Sequence, residues 1–284
     1  MPFPRLLAGI AAPALRFDLN IGGLFGLPAT SSVPRGSDEE VYRAAVAAGI
    51  RGFQTNRPDL CRPLQVAASH WGRVDTPAEA FTLGAKLADE GYSCASVHVG
   101  SEYTDDLPAL RLLDACVAAS DRHGVCLFVE THRATVTQDT WRTLGFVRVI
   151  PELRFNADLS HWYTGSEMPY GDLNAKFDRL MPVLERCRFI HGRIGTPGCI
   201  QVAVDGDEAH VGHFRELWTR IFRAFRRDAA PGEVFPFTPE LLGPDSHYAR
   251  RVRQADGTQA EESDRWQQAF VLWRIAQEAW AAAD

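Results

Sequence analysis

The sequence predicts an α/β protein, a (β/α)₈ TIM barrel, on three observations. Short apolar runs alternate with longer amphipathic stretches along the chain, the pattern of βα units around a parallel sheet. The 284 residues suit a barrel, which takes about 250 residues in one domain. No G-x-G-x-x-G or G-K-[ST] phosphate loop is present, which disfavours an open doubly wound sheet. No linker or low-complexity tract divides the chain, so residues 1–284 are expected to form a single barrel domain.

The expected strands are Leu6–Ile10, Ile50–Thr55, Leu64–Ser69, Ala95–Val99, Val125–Glu130, Leu153–Asp158, Arg188–His191 and Val234–Glu240. The middle strands are the clearest. From Val125 to Val129 the chain is unbroken apolar sequence closed by Glu130, as suits a strand covered on both faces. The mildly apolar start from Leu6 to Leu15 is broken by Pro13 and followed at once by Arg16 and Asp18. That argues against a signal peptide and places the first strand at Leu6–Ile10.

Helices are expected between the strands. Asp38–Ala48 opens with acids and stops before Gly49. Thr76, Pro77 and Glu79 read as the N-cap, first-turn proline and early acid of a helix running to Glu90. Asp106–His123 ends at Gly124, and Gln138–Val149 stops before Pro151. Leu173–Arg186, Phe214–Arg227 and Arg265–Ala281 complete the set, with polar Arg250–Asp264 expected as a loop before the last helix.

Composition narrows the function classes. Hydrophobic residues are 45% and charged residues 23%, as in soluble globular proteins. A net charge of −6 gives no general attraction to phosphate backbones, so no nucleic-acid partner is expected. The Arg223–Arg227 cluster reads as a solvated helix face. No apolar run reaches the roughly 18 residues of a membrane span. Only Lys86 and Lys176 are available for Schiff-base chemistry. The six cysteines form no C-x-x-C pair and read as buried thiols of a reducing compartment, so the cytoplasm is the expected location.

Barrel active sites lie at the C-terminal ends of the strands. The expected strands five to eight end in Glu130, Asp158, His191 and Glu240, each a metal-ligand type. Four such ends on successive strands of a closed barrel converge on one point. Three carboxylates and one imidazole make an oxygen-rich set, suited to Mn²⁺ first, then Mg²⁺ or Co²⁺, with Zn²⁺ less favoured.

The segments around these residues resemble the xylose isomerase-like TIM-barrel superfamily, which includes ketose 3-epimerases, inosose dehydratases, hydroxypyruvate isomerases and endonuclease IV. The resemblance covers about Ile50 to Tyr248. It rests on Val97-His-Val-Gly100, Phe128-Val-Glu-Thr-His132, Ala157-Asp-Leu-Ser-His161, Phe189-Ile-His-Gly-Arg193 and Phe237-Thr-Pro-Glu240. It implies one divalent metal ion on Glu130, Asp158, His191 and Glu240, and a substrate-facing His161. Two departures stand out. Many relatives carry a glutamate near the end of the second strand, where this chain reads Gln54-Thr-Asn56. An H-x-K-D type motif after the seventh strand is here His191-Gly-Arg-Ile-Gly195, which gives Arg193 the cationic role. Both departures bear on substrate identity more than on the metal.

Other residues are candidates for the pocket. His98 ends the fourth strand as a substrate donor or extra ligand. His132, two residues beyond Glu130, points to the same side if the strand continues. Arg133 is placed to clamp a carboxylate, phosphate or hydroxyl of the substrate. His70 is a weaker pocket candidate, while Trp162 is expected to pack and His123 to complement a helix dipole.

The function these residues suggest is a metal-dependent isomerase or epimerase of a sugar or related polyol. Glu130 and Glu240 would remove and return a proton beside a carbonyl through a metal-stabilised enediolate. Three alternatives stay open. A dehydratase of a cyclic keto-polyol needs an acid placed over a β-hydroxyl. An endonuclease IV-like phosphodiesterase needs more histidines and an Asp-x-His pair, for which Asp207 and His210 have the wrong spacing. A non-catalytic sugar-binding barrel would bind without proton exchange. The expected partner is a small molecule, and a homo-oligomer remains open.

Overall fold

Eight parallel strands close into a barrel in the computed structural model, which describes residues 12–205 and 208–284. The strands are β1 Ala14–Asn20, β2 Gly52–Gln54, β3 Ala67–Val74, β4 Cys94–Val99, β5 Cys126–Glu130, β6 Phe155–Ala157, β7 Cys187–Gly192 and β8 Val234–Pro239. Each pairs with the next, and β8 closes on β1 with Ala14 opposite Val234 and Phe17 opposite Phe237. The helices are α1 Asp38–Ala47, α2 Pro58–Cys61, α3 Pro77–Glu90, α4 Asp106–His123, α5 Thr140–Val149, α6 Ser160–Gly165, α7 Leu173–Leu184, α8 Ala209–Asp228 and α9 Arg265–Ala281. This is the (β/α)₈ barrel that the alternating pattern predicts. Among the described residues, no helix is long and apolar enough to cross a membrane.

Helix ends follow local chemistry. The Thr76 hydroxyl accepts from the Glu79 amide while the Glu79 carboxylate accepts from the Thr76 amide, a capping box that opens α3 with Pro77 in its first turn. Gly91 and Gly124 stop α3 and α4 in left-handed conformations, where a side chain would clash with the backbone.

The expected first strand, Leu6–Ile10, lies outside the described residues, as does Asp207. The first place in the barrel belongs to Ala14–Asn20 instead. Its charged residues hide it in the sequence. Alternation turns Phe17 outward, where its ring stacks on Trp273 of α9 at 4.7 Å between centroids. The opposite face carries Arg16, Asp18 and Asn20. Arg16 and Asp18 pair with each other through two hydrogen bonds of 2.7 and 2.6 Å, both side chains buried. Gly52 of β2 makes the room: a Cβ there would stand 2.3 Å from Asp18 Oδ1.

Two further expectations change. β3 runs on to Val74, so His70 sits mid-strand; its ring packs against Trp71 and Tyr92, at 5.3 and 4.9 Å, away from the candidate cluster. The expected loop Arg250–Asp264 contains a hairpin of β9 Arg251–Arg253 and β10 Gln259–Glu261. Its turn uses Gly257 at φ 85° and an Asp256 side chain that accepts from the Thr258 amide, a local turn chemistry typical of Asp and Gly.

Inside the barrel, Cys94, Cys126, Phe128 and Phe189 form a small apolar cluster separate from the main core between strands and helices. Two-residue alternation puts Ser96 and His98 on the same face of β4 as Cys94. It likewise puts Glu130 in line with Cys126 and Phe128, and His191 with Phe189. The apolar plug therefore gives way to polar groups at the C-terminal rim.

Candidate metal centre

Neighbouring strand ends set the four central side chains. Glu130 is the last residue of β5, and Asp158 follows β6 by one residue. His191 lies in the last turn of the pleat of β7, and Glu240 follows β8 by one residue. Each offers a ligand atom, and these atoms all lie within 4.8 Å of one another. His191 Nδ1 is 3.4 Å from Glu130 Oε1 and 3.5 Å from Glu240 Oε2. Buried His191 Nδ1 and Asp158 Oδ2 have no hydrogen-bond partner in the protein. Most buried polar atoms in folded proteins are paired, so an orphaned nitrogen and an orphaned carboxylate oxygen within one cluster of ligand-type groups fit a bound cation. An oxygen-rich set with one imidazole suits a hard or borderline divalent ion.

A relay of hydrogen bonds sets the His191 tautomer. The Gly22 amide donates to Asn20 Oδ1 at 2.8 Å, which orients the Asn20 amide. Asn20 Nδ2 then donates to Gln54 Oε1 at 2.8 Å, and His191 Nε2 lies 3.0 Å from the same oxygen. An amide oxygen only accepts. Nε2 therefore carries a proton, and Nδ1 is the nitrogen turned to the carboxylates, the one an ion would take once its own proton is displaced, as in metal sites where the outer ring nitrogen is held by a neighbour. Gln54 is the acceptor that makes this work.

The carboxylates are held from behind. Ser96 Oγ donates to Glu130 Oε2 at 2.6 Å and in turn accepts from Asn156 Nδ2 at 2.7 Å. Asp158 Oδ1 accepts from the amide and hydroxyl of Ser160, at 3.2 and 2.5 Å. Asn20 Nδ2 also reaches Glu240 Oε1 at 3.2 Å. Burial alone would push the Glu130 carboxyl up, but His191 and His98 hold it well below the usual carboxylate range. Burial opposes Asp158 in the same way, and Arg193 and His161 lower it. His191 is raised to about 9: burial lowers it, and Glu240 and Glu130 outweigh burial.

The expected pocket residues gather at the rim. His98 Nε2 is 3.4 Å from Glu130 Oε2. The rings of His98, His132 and His161 form a row, with centroids 4.1 and 3.8 Å apart. His132 donates Nδ1–H to the Arg133 carbonyl, and burial with His161 nearby keeps it neutral, lowered to about 3. Both ring nitrogens of buried His161 lack hydrogen-bond partners. Arg193 is buried among the ligands, whereas Arg133 is exposed at the mouth with its guanidinium 5.4 Å from the Tyr248 ring centre. Trp162 packs as expected and donates to the Thr137 carbonyl at 2.8 Å. Ser96, Asn20 and Tyr248 carry no signal in the sequence; the strand pattern places Ser96 on the face of Glu130 only once β4 and β5 are paired.

No protein-family model matches the chain, and no curated protein matches it in sequence. Solved structures match it in fold. One is a D-tagatose 3-epimerase-like protein, 10% identical, with a TM-score of 0.56 over 93% of this chain and 98% of that one. A second is a xylose isomerase-like TIM barrel protein from Mycobacterium smegmatis in complex with magnesium, 11% identical, with a TM-score of 0.55 over 96% of this chain and 98% of that one. A third is the probable 3-DHS dehydratase AsbF from Bacillus anthracis, 13% identical, with a TM-score of 0.51 over 81% of this chain and 94% of that one. This chain has the fold of the xylose isomerase-like TIM barrels.

Proposed function

We propose that the protein is a divalent-metal-dependent isomerase or epimerase of a sugar or related polyol. The observation that carries this reading is the convergence of Glu130, Asp158, His191 and Glu240 within 4.8 Å at the C-terminal rim, with two of the facing atoms orphaned. One ion, Mn²⁺ first and Mg²⁺, Co²⁺ or Zn²⁺ as substitutes, would be held by these four residues. When bound it supplies Lewis acidity to the oxygens of a hydroxy-carbonyl substrate.

The chain's own groups do the proton work. Glu130 is ionised and turns Oε1 toward His191, so a carboxylate stands ready to take a proton from the carbon beside the carbonyl. Glu240, whose Oε2 lies 3.5 Å from the same His191 Nδ1, is the second carboxyl group and gives its own proton to the other face of that carbon, after which exchange with solvent resets both groups; such a two-carboxyl arrangement suits epimerisation. His161 offers unpaired ring nitrogens to a substrate hydroxyl, and His98 and His132 line the approach. Arg133 stands at the mouth for a polar or anionic substituent. The dehydratase alternative draws on one observation: Glu130 raises His98 despite its burial, giving a proton donor above the site for a leaving hydroxyl.

The test is solvent exchange. The protein with Mn²⁺ is incubated in D₂O with a panel of ketoses, keto-inositols and sugar phosphates, and C–H signals beside the carbonyl are followed by NMR. Loss of one such signal, dependent on metal, is expected. Ligands that bind without any exchange across the panel would make the chain a binding barrel.

A further inference from the structure

Arg193 reaches two of the four candidate ligands. It is 1% exposed, and its Nη2 pairs with Glu240 Oε2 while its Nε donates to the Glu240 carbonyl oxygen at 2.9 Å. Nη1 lies 3.3 Å from Asp158 Oδ2 and makes no hydrogen bond. The Tyr248 ring closes over the guanidinium, its centre 4.3 Å from Cζ.

The other oxygens of both carboxylates are already engaged. Asp158 Oδ1 takes both donors of Ser160, and Glu240 Oε1 takes Asn20 Nδ2. The oxygens left for an ion are Asp158 Oδ2 and Glu240 Oε2, the two that Arg193 faces. A dication bound there shares both oxygens with a fixed monocation a few ångströms away, in surroundings where like charges repel strongly.

We infer that Arg193 is a built-in counter-charge that competes with the metal for Asp158 and Glu240 and keeps the ion loosely held. It is a positioning residue toward the metal, where the sequence pattern suggested a group for substrate. Its charge offsets the crowded carboxylates and remains beside the ion where negative charge gathers during enolisation. The inference rests on the four-ligand reading above.

The sign of the effect separates this role from a structural one. Deleting a supporting residue weakens metal binding; deleting a competitor tightens it. Mn²⁺ binding to the full chain is measured by calorimetry and by EPR of free Mn²⁺, for wild type, Arg193→Gln and Arg193→Lys. Near-UV circular dichroism and melting are followed on the same samples. Wild type is expected to bind one Mn²⁺, and Arg193→Gln to bind it at least about tenfold more tightly, with a larger upward shift in Tm on adding Mn²⁺. Lysine keeps the charge but lacks the fork that reaches both carboxylates, so Arg193→Lys should tighten binding by a smaller factor, about threefold. It decides the question if Arg193→Gln does not fold. Folded variants that bind Mn²⁺ equally or more weakly than wild type overturn the inference. Failure of both wild type and variants to bind Mn²⁺ overturns the four-ligand reading and the inference with it.

Discussion

His191 donates its Nε2–H to Gln54 Oε1, 3.0 Å away, and this one contact turns Nδ1 toward Glu130 and Glu240. The relation spans β7 and β2, across the barrel. It is anchored through Asn20 to the Gly22 amide, so a backbone group at one strand end determines which imidazole nitrogen can meet an ion on the opposite side.

Replacing Gln54 should therefore act on metal binding before it acts on anything else. Gln54→Leu leaves the His191 and Asn20 donors without their acceptor. Metal affinity is expected to fall by roughly 10–100-fold, the usual effect of removing a partner behind a ligand. Calorimetric titration with Mn²⁺ beside a circular dichroism melt checks it. Unchanged affinity in a folded variant would show that the tautomer is set elsewhere.

Metal binding should release a proton. Despite burial, Glu240 and Glu130 raise His191 to about 9, so below that pH Nδ1 holds a proton that the ion must displace. Apparent affinity is expected to rise with pH up to about 9 and to level off above. With EDTA present the raised pKa also stabilises the fold: the contribution is full below the ordinary histidine pKa and is lost as pH rises through about 9. Calorimetry at pH 7 in buffers of different ionisation enthalpy should count close to one proton per ion.

Glu130→Gln and Glu240→Gln keep shape and one oxygen for an ion but remove the group that exchanges a proton. Each is expected to retain substantial metal and to lose at least about 10² in rate on a substrate found by solvent exchange. His191→Ala should lose metal first and activity as a consequence. Metal content and turnover are measured on the same samples. Near wild-type rates in both glutamine variants with metal bound would exclude the two-glutamate mechanism, and loss in only one would favour a single base or a dehydratase.

At the opposite end of the barrel, Asp18→Ala should destabilise the fold by about 3–5 kcal/mol, because it leaves Arg16 charged and buried without its partner. The double variant Arg16→Met with Asp18→Ala should recover part of that loss. Urea unfolding followed by fluorescence measures both; a single variant as stable as wild type would contradict the buried pairing.

The sequence by itself determined what depends on near neighbours. The capping box at Thr76 and Glu79, the helix stops at Gly91 and Gly124, and the apolar run closing on Glu130 are all set within a few residues, so their physics is legible in order. Four candidate ligands at the ends of the fifth to eighth strands were legible because a barrel assigns every strand end to one rim. The rest needed closure. β1 carries Arg16 and Asp18 in a strand, which reads as surface until β2 and β8 bury the pair and Gly52 makes room for it. Gln54 reads as a missing glutamate until His191, far along the chain, arrives as its donor. Arg193 reads only as the cation of the seventh-strand motif, and its contacts with Asp158 and Glu240 appear once β7 and β8 pair. A charge or amide has no fixed meaning in a one-dimensional string, because its energy depends on the partners and the burial that only the closed barrel supplies.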